Sequence, residues 1–355
     1  MINYDLKLKN LLSLAVEKKV SDLHFSDGHP PTFRMAGKLS KNEETGVLTA
    51  DDCQGMAFAL LDEKQKDKFL REKEIDLSYN FENKNRFRVN IFFQKGTVSC
   101  SLRRVAAEVP GLEELNLPPI LGKFTEQNQG LVLITGPSSH GKSTTLAGLI
   151  DRINHNFFKR IITIEDPIEY IFKDDKSIIE QREVHYDTES FSRALKSVFR
   201  QDPDVIMVGE MRDPETIATV ITAAETGHLV FSTLHTNSAG QSIHRIIDSF
   251  PGEQQSQIRS QLALSLLGIV SQRLIPRKGG GIVPACEIMF STPATANIIR
   301  EGRVHELDFI IETSGGEGMI SLNKYLSHLI QEDEISVESA LMYSRRPSEL
   351  KKFIG

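Results

Sequence analysis

Cysteine is scarce in this 355-residue sequence: Cys53, Cys100 and Cys286 stand far apart, with no Cys-x-x-Cys spacing. That scarcity excludes a four-cysteine zinc site within the chain and argues against an obligatory disulfide framework. Positive charge is not in surplus either. With a net charge of -6 and a sequence pI of about 6.0, no general attraction to nucleic-acid phosphates or an anionic membrane is expected. Long apolar runs are also missing. The most apolar stretch, Gln261 to Ile275, is broken by Ser265, Gln272 and Arg273 and falls short of a bilayer span. The opening MINYDLKLKN carries charges where a secretory leader has its apolar run, so a cytoplasmic chain is expected. No internal repeat is visible.

What is present suffices for more than one core, with 39% apolar and 25% charged residues. Residues 1–105 read as a small mixed α/β domain. Its first helix is marked by Leu8, Leu11, Leu12, Ala15 and Val16, and SDLHF reads as a strand. A second helical stretch is expected from Ala50 to Arg71, followed by a hairpin around Gly96 whose strands alternate Phe87, Val89 and Ile91 with polar residues. Pro110, Gly111, Pro118 and Pro119 make residues 106–119 an interdomain linker. Within 120–275, the apolar runs Gly130–Thr135, Arg160–Ile164, Val205–Val208 and His228–Ser232 alternate with helical material. That pattern predicts an open, mainly parallel sheet with helices on both faces. From Glu253 onward the periodicity reads as helical, through Ile258, Leu262, Leu266, Ile269 and Val270, and 276–355 is expected to be mainly helical. GGGI at 279–282 and GG-x-G at 315–318 read as turns.

The strand GLVLIT runs straight into GPSSHGKST, which satisfies Gly-x-x-x-x-Gly-Lys-Ser from Gly136 to Ser143. Gly136 and Gly141 permit a loop whose N–H groups converge on a phosphate; Ser138, Ser139, His140 and Thr144 belong to it as well, and Pro137 lines it without a donor of its own. Lys142 brings a positive charge to the β and γ phosphates of ATP, and Ser143 offers an oxygen to Mg2+. Glu165 and Asp166 follow the strand RIITI, and Glu210 follows DVIMVG, so their carboxylates face the crevice beyond the strand ends. Either Glu165 or Glu210 can hold the metal, directly or through water, while the other orients or deprotonates the attacking water; their order does not assign the jobs. For Asp166, before Pro167, a helix cap is the alternative reading. His235, beyond the strand HLVFSTL, is placed to sense a γ phosphate, whereas His228 stands at that strand's start.

Together GPSSHGKST, ITIEDPIEY, QREV, RQDPDVIMVGEMRDPET and TGHLVFSTLHTN resemble the hexameric secretion and type IV pilus ATPases, most of all the pilus-retraction (PilT/PilU) branch. The resemblance covers nearly the whole chain. It implies a PAS-like N-terminal α/β domain, a RecA-like P-loop NTPase core and a helical C-terminal region. It places Glu165 in an aspartate box, Glu210 in the Walker B segment and His235 in a histidine box, and makes Arg88 and Arg103 arginines that reach a nucleotide. Arg182, Arg193 and Arg200 form a further basic set that suits an interface, the nucleotide's charge or an ordinary salt-bridged face. The implied partners are five further copies in a homo-hexamer, a pilus inner-membrane platform protein that brings the chain to the membrane, and a related retraction ATPase. No direct nucleic-acid binding is expected. The implied activity is ATP hydrolysis driving pilus retraction and twitching motility; accessory retraction, pilus or secretion assembly, and nucleic-acid translocation are the alternatives. The absence of a tetracysteine motif favours retraction over assembly. His140 stands where the family has a small residue, and PATANIIREGRVHEL at 293–307 departs from the retraction-specific pattern.

Overall fold

The computed structural model describes residues 3–35, 37–82, 85–105 and 108–354, and the chain divides into two compact units. The first comprises Met1–Glu108 with Glu169–Ile171, and the second Val109–Ile168 with Phe172–Gly355. Of the linker expected at 106–119, residues 106 and 107 lie outside the described residues.

In the first unit, α1 (Tyr4–Glu17) begins at Asn3, whose side chain accepts from the Leu6 N–H, and it buries Leu8, Leu11, Leu12 and Ala15. Strands β1 (Asp22–Ser26), β2 (Thr32–Met35) and β3 (Lys38–Lys41) precede α2 (Ala50–Ala59) and α3 (Glu63–Glu72). One continuous helix was the expectation over Ala50–Arg71, but two form. Asp62 accepts from the Gln65 N–H and Gln65 answers back to the Asp62 N–H, so a capping box starts a new helix there. Strands β4 (Glu74–Phe81), β5 (Asn85–Gln94) and β6 (Thr97–Arg104) complete an antiparallel sheet in the order β3-β2-β1-β6-β5-β4. The expected hairpin joins β5 to β6, with Lys95 and Gly96 at positive φ in its turn. Alternate residues Phe87, Val89 and Ile91 point into the core with Phe25, Phe33 and Cys100.

The second unit is built on β7 (Gly130–Thr135), α4 (Lys142–Asn156), β8 (Arg160–Glu165), β9 (Ile178–Glu183), α5 (Phe191–Val198), β10 (Val205–Val208), α6 (Pro214–Glu225) and β11 (Leu229–Leu234). It continues through α7 (Ala239–Asp248), α8 (Gly252–Ser265), β12 (Leu266–Pro276) and β13 (Ile282–Phe290). Five helices follow: α9 (Pro293–Glu301), α10 (Leu307–Thr313), α11 (Leu322–Gln331), α12 (Val337–Tyr343) and α13 (Pro347–Ile354). The sheet order is β13-β12-β7-β11-β10-β8-β9, parallel throughout except for β12 against β13.

All six residues of β7 and all six of β11 are buried, which is why both are mostly apolar, with Ser232 and Thr233 of β11 donating to the carbonyls of Val208 and Gly209. Leu131 and Leu133 pack on one side with α5 to α8, while Val132 and Ile134 pack on the other with α4 and Phe124. One expectation fails here. The periodicity carried a helix through Leu266, Ile269 and Val270, whereas the helix ends at Ser265 and those residues open β12, pairing with β7. A run buried on both sides has no period to read, so the length of the apolar stretch cannot tell strand from helix. Gly280 and Gly281, at positive φ, turn β12 into β13 as expected, and the turn expected at 315–318 is a single 3-10 turn, Gly315–Glu317, closed by Gly318 at positive φ. Among the described residues no helix is long and apolar enough to cross a membrane.

Candidate functional site

The loop from Gly136 to Gly141 leaves the carboxyl end of β7, next to β11 and β12 in the sheet. Its backbone excludes side chains at two points. Gly136 sits at φ 148, and a Cβ there would lie 2.3 Å from the carbonyl oxygen of Gln272; Gly141 sits at φ 80, where a Cβ would meet Gln272 Nε2 at 2.9 Å. Both glycines are therefore set by the approach of β12.

Lys142 opens α4 and is 8% exposed. Its Nζ donates to the carbonyl oxygens of Gly136 at 3.0 Å and Pro137 at 2.9 Å, which holds the charge over the loop. Gly141, at the N-cap of the helix, supplies no side-chain cap to the N–H groups of its first turn. A glycine-shaped loop, a helix N-terminus and a buried ammonium together suit an anion.

Gln272 and His140 pin the second half of the loop to β12. Gln272 Nε2 donates to the His140 carbonyl at 2.9 Å, Thr145 Oγ1 donates to Gln272 Oε1 at 2.7 Å, and the Leu274 N–H donates to His140 Nδ1 at 2.9 Å. The last contact requires the neutral ring. Burial, then the charges of Arg273 and Lys142, push His140 below the ordinary histidine value.

Glu165 and Glu210 lie at the carboxyl ends of the paired strands β8 and β10, the Gly209 N–H donating to the Ile164 carbonyl. Glu165 is 7% exposed, and its Oε1 accepts from Thr163 Oγ1 at 2.6 Å and Gln181 Nε2 at 3.0 Å. Glu210 pairs with Arg212 on one side and approaches His235 Nε2 at 3.6 Å on the other. His235 Nδ1 stands 3.3 Å from Ser138 Oγ in the loop. The ring thus joins loop and carboxylate when Ser138 donates to Nδ1 and the proton sits on Nε2. Burial and the Lys142 charge lower its pKa, against the opposing pull of Glu210.

The other sequence candidates fall elsewhere. His228 lies just before the opposite end of β11, its Nδ1 3.0 Å from the Ala223 carbonyl and its ring edge-on to Phe199. Arg193 pairs with Glu189, Arg182 Nη2 donates to the Asp187 carbonyl at 3.4 Å, and Arg200 has no side-chain partner among the described residues. Arg88 and Arg103 belong to the first unit, directly opposite each other on β5 and β6 and both exposed. Arg103 Nε binds Asp22 at 2.8 Å, whereas Arg88 has no partner among the described residues. Residues that the sequence did not flag for the site are Gln272, Gln181, Thr163 and Arg212. For Gln272 the available signal is a polar side chain inside the apolar run LLGIVSQRLIP, since a buried polar side chain in a strand needs a partner.

The model of the type II/IV secretion system protein family matches residues 6–337. The chain is 42% identical over 340 residues to the type IV pilus retraction ATPase PilT of Pseudomonas aeruginosa, covering 96% of this chain and 98% of that one. It is 39% identical over 350 residues to the type IV pilus ATPase PilU of the same organism, covering 98% and 91%. A crystal structure of the pilus retraction motor PilT with bound ADP superposes with a TM-score of 0.91 at 43% identity, covering 97% of this chain and 98% of that one.

Proposed function

This chain belongs to the type II/IV secretion system protein family, and we propose on that premise that it hydrolyses ATP to drive disassembly and retraction of a type IV pilus, the process behind twitching motility. The observation that carries the reading is the line Ser138–His235–Glu210–Arg212, which ties the phosphate loop to a carboxylate at the end of a neighbouring strand. Lys142 and the first turn of α4 bind the β and γ phosphates. Glu210, whose neighbours are a histidine and an arginine, orients the attacking water, and His235 reports whether a γ phosphate is present.

Glu165, already committed to Thr163 and Gln181, serves on the metal side with Ser143. These are hard oxygen donors, and among the described residues no group of three or more His, Cys, Asp and Glu forms a dedicated cage. Such a set suits Mg2+ held mostly by phosphate and water. Bound magnesium would neutralise charge that spreads over the transferring phosphoryl group.

The working form is a homo-hexamer on the cytoplasmic face of the inner membrane, held there by a platform protein, with a related retraction ATPase as a second partner. Arg88 and Arg103 complete the site of a neighbouring copy. We read the first unit as PAS-like and the core of the second as RecA-like: β1 and β6 pair in the middle of one sheet, and β7 sits between β12 and β11 in the other. Residues 108–119 act as linker, and beyond β13 the helices from Pro293 onward form the helical C-terminal region.

Lys142→Ala should weaken nucleotide binding by about tenfold or more, about 1.4 kcal/mol, because a charge-assisted contact is lost. Glu210→Gln should leave binding within about threefold while turnover falls by roughly a hundredfold or more, the range for loss of a proton-handling group. Titration with labelled nucleotide and steady-state phosphate release separate the two effects. Full turnover in Glu210→Gln would end its assignment. Watching single pili in cells that carry only such variants tests the biological step: retraction that stops supports the main motor, and retraction that fails only under load favours the accessory role that the similarity to PilU also allows.

A further inference from the structure

One buried carboxylate has no part in the phosphate chemistry. Glu287 lies on β13 with its side chain 7% exposed, and its two oxygens face in different directions. Oε1 accepts from the N–H of Ala239 at 2.9 Å, and Oε2 accepts from Arg345 Nη1 at 3.1 Å. Ala239 is the first residue of α7, the helix entered directly from His235, Thr236, Asn237 and Ser238. Arg345 sits between α12 and α13, and its Nη2 lies 3.7 Å from Asp308 of α10, a carboxylate it shares with Arg346. Arg273 donates from Nη2 to Asn237 Oδ1 at 3.3 Å, so β12 also touches the same segment. Burial pushes the Glu287 carboxyl above the usual glutamate range, against the pull of the Ala239 N–H and Arg345.

We propose that Glu287 is a positioning residue that carries the state of the His235–Ser238 segment to the last two helices, residues 337–354. A planar carboxylate holds the N-terminus of α7 through one oxygen and the joint between α12 and α13 through the other. The bond to Ala239 is buried and the bond to Arg345 is charge-assisted on the same buried carboxylate, so neither partner is replaced cheaply when the segment shifts. A displacement at His235 is then passed on to Arg345 instead of being absorbed locally. The inference deepens the ATPase reading and rests on His235 sensing the γ phosphate.

The test is hydrogen exchange on the full-length assembled protein with Mg2+ and either ADP or a non-hydrolysable ATP analogue. In the wild type, amides in 337–354 should differ in exchange rate between the two nucleotides by about threefold or more, the signature of a local opening equilibrium that the γ phosphate biases. Glu287→Gln and Arg345→Met should each erase that difference and lower kcat, with nucleotide affinity within about threefold of wild type. The double variant should lose no more kcat than either single one, since both cut the same connection. Arg345 is 26% exposed along its side chain, so its variant carries the test if Glu287→Gln does not fold.

Persistence of the nucleotide-dependent difference in a folded variant would overturn the proposal and leave Glu287 a structural clamp. The two readings fail separately. A wild type that hydrolyses ATP with 337–354 indifferent to the γ phosphate sinks the relay alone. A wild type with no turnover, but with a difference that Glu287→Gln erases, sinks the motor alone.

Discussion

At the scale of single residues, His235 and His140 make the site sensitive to acid. Burial lowers both pKa values, and Lys142 adds to the effect at each ring. Each ring is neutral at its ordinary value of about 6.5 and stays so until the pH falls through its lower folded value. The sign is therefore fixed: neutral rings favour the fold, so the stability they contribute is complete above about 6.5 and is lost as the pH drops through the folded values. Turnover should hold from pH 8 to about 6.5 and decline only below that. His235→Gln, which cannot titrate, should lower turnover at pH 8 and flatten the acid limb, leaving the part that belongs to His140. A pH–rate profile on both proteins checks this, and an unchanged acid limb in His235→Gln would remove His235 from the account.

At the scale of elements, the loop is held in shape by a strand distant in sequence. Gln272→Ala would strip a partner from both the Thr145 hydroxyl and the His140 carbonyl, at a cost of about 1–3 kcal/mol in a buried setting. Chemical denaturation should show that loss, together with weaker nucleotide binding. If nucleotide affinity stays unchanged, β12 does not shape the cradle. This attachment also marks the limit of what the sequence discloses. GLVLIT-GPSSHGKST reveals strand, loop and helix because β-strand length, glycine spacing and helix start are all local signals, and the hairpin at Gly96 is legible for the same reason. The strand β12 is not legible, because its register against β7 depends on burial of both faces, and Gln272 looks like an interruption until its two partners are in view. Likewise the break between α2 and α3 rests on the capping pair Asp62 and Gln65, which competes with an otherwise continuous helical pattern.

At the scale of the molecule, Arg88 and Arg103 of the first unit should behave differently. Asp22 is 5% exposed and is held by Arg103 at 2.8 Å and, more distantly, by Arg34 at 3.7 Å. Burial alone would raise its carboxyl, and the hydrogen bonds from Arg103 and Ser21 bring it below the ordinary aspartate value instead. Arg103→Ala should destabilise the unit by about 1 kcal/mol or less, since the guanidinium is largely solvated, whereas Arg88→Ala should leave its stability unchanged. Both should reduce turnover if they serve a neighbouring copy. Mixing rings of Arg88→Ala with rings of Lys142→Ala tests this, because each supplies what the other lacks; mass measurement should show six-membered mixed assemblies, and turnover that does not recover in them would rule out service in trans.

The three cysteines complete the picture. All are buried: burial raises the thiol of Cys53 to about 11 and that of Cys286 to about 12, and Cys100 stands well above the usual value. The folded chain consequently presents no thiolate to an electrophile at neutral pH. A cysteine placed at Met342, which is 81% exposed, would accept a maleimide dye on the unmodified background, giving a fluorescent reporter on α12 with every native side chain inside the protein left in place.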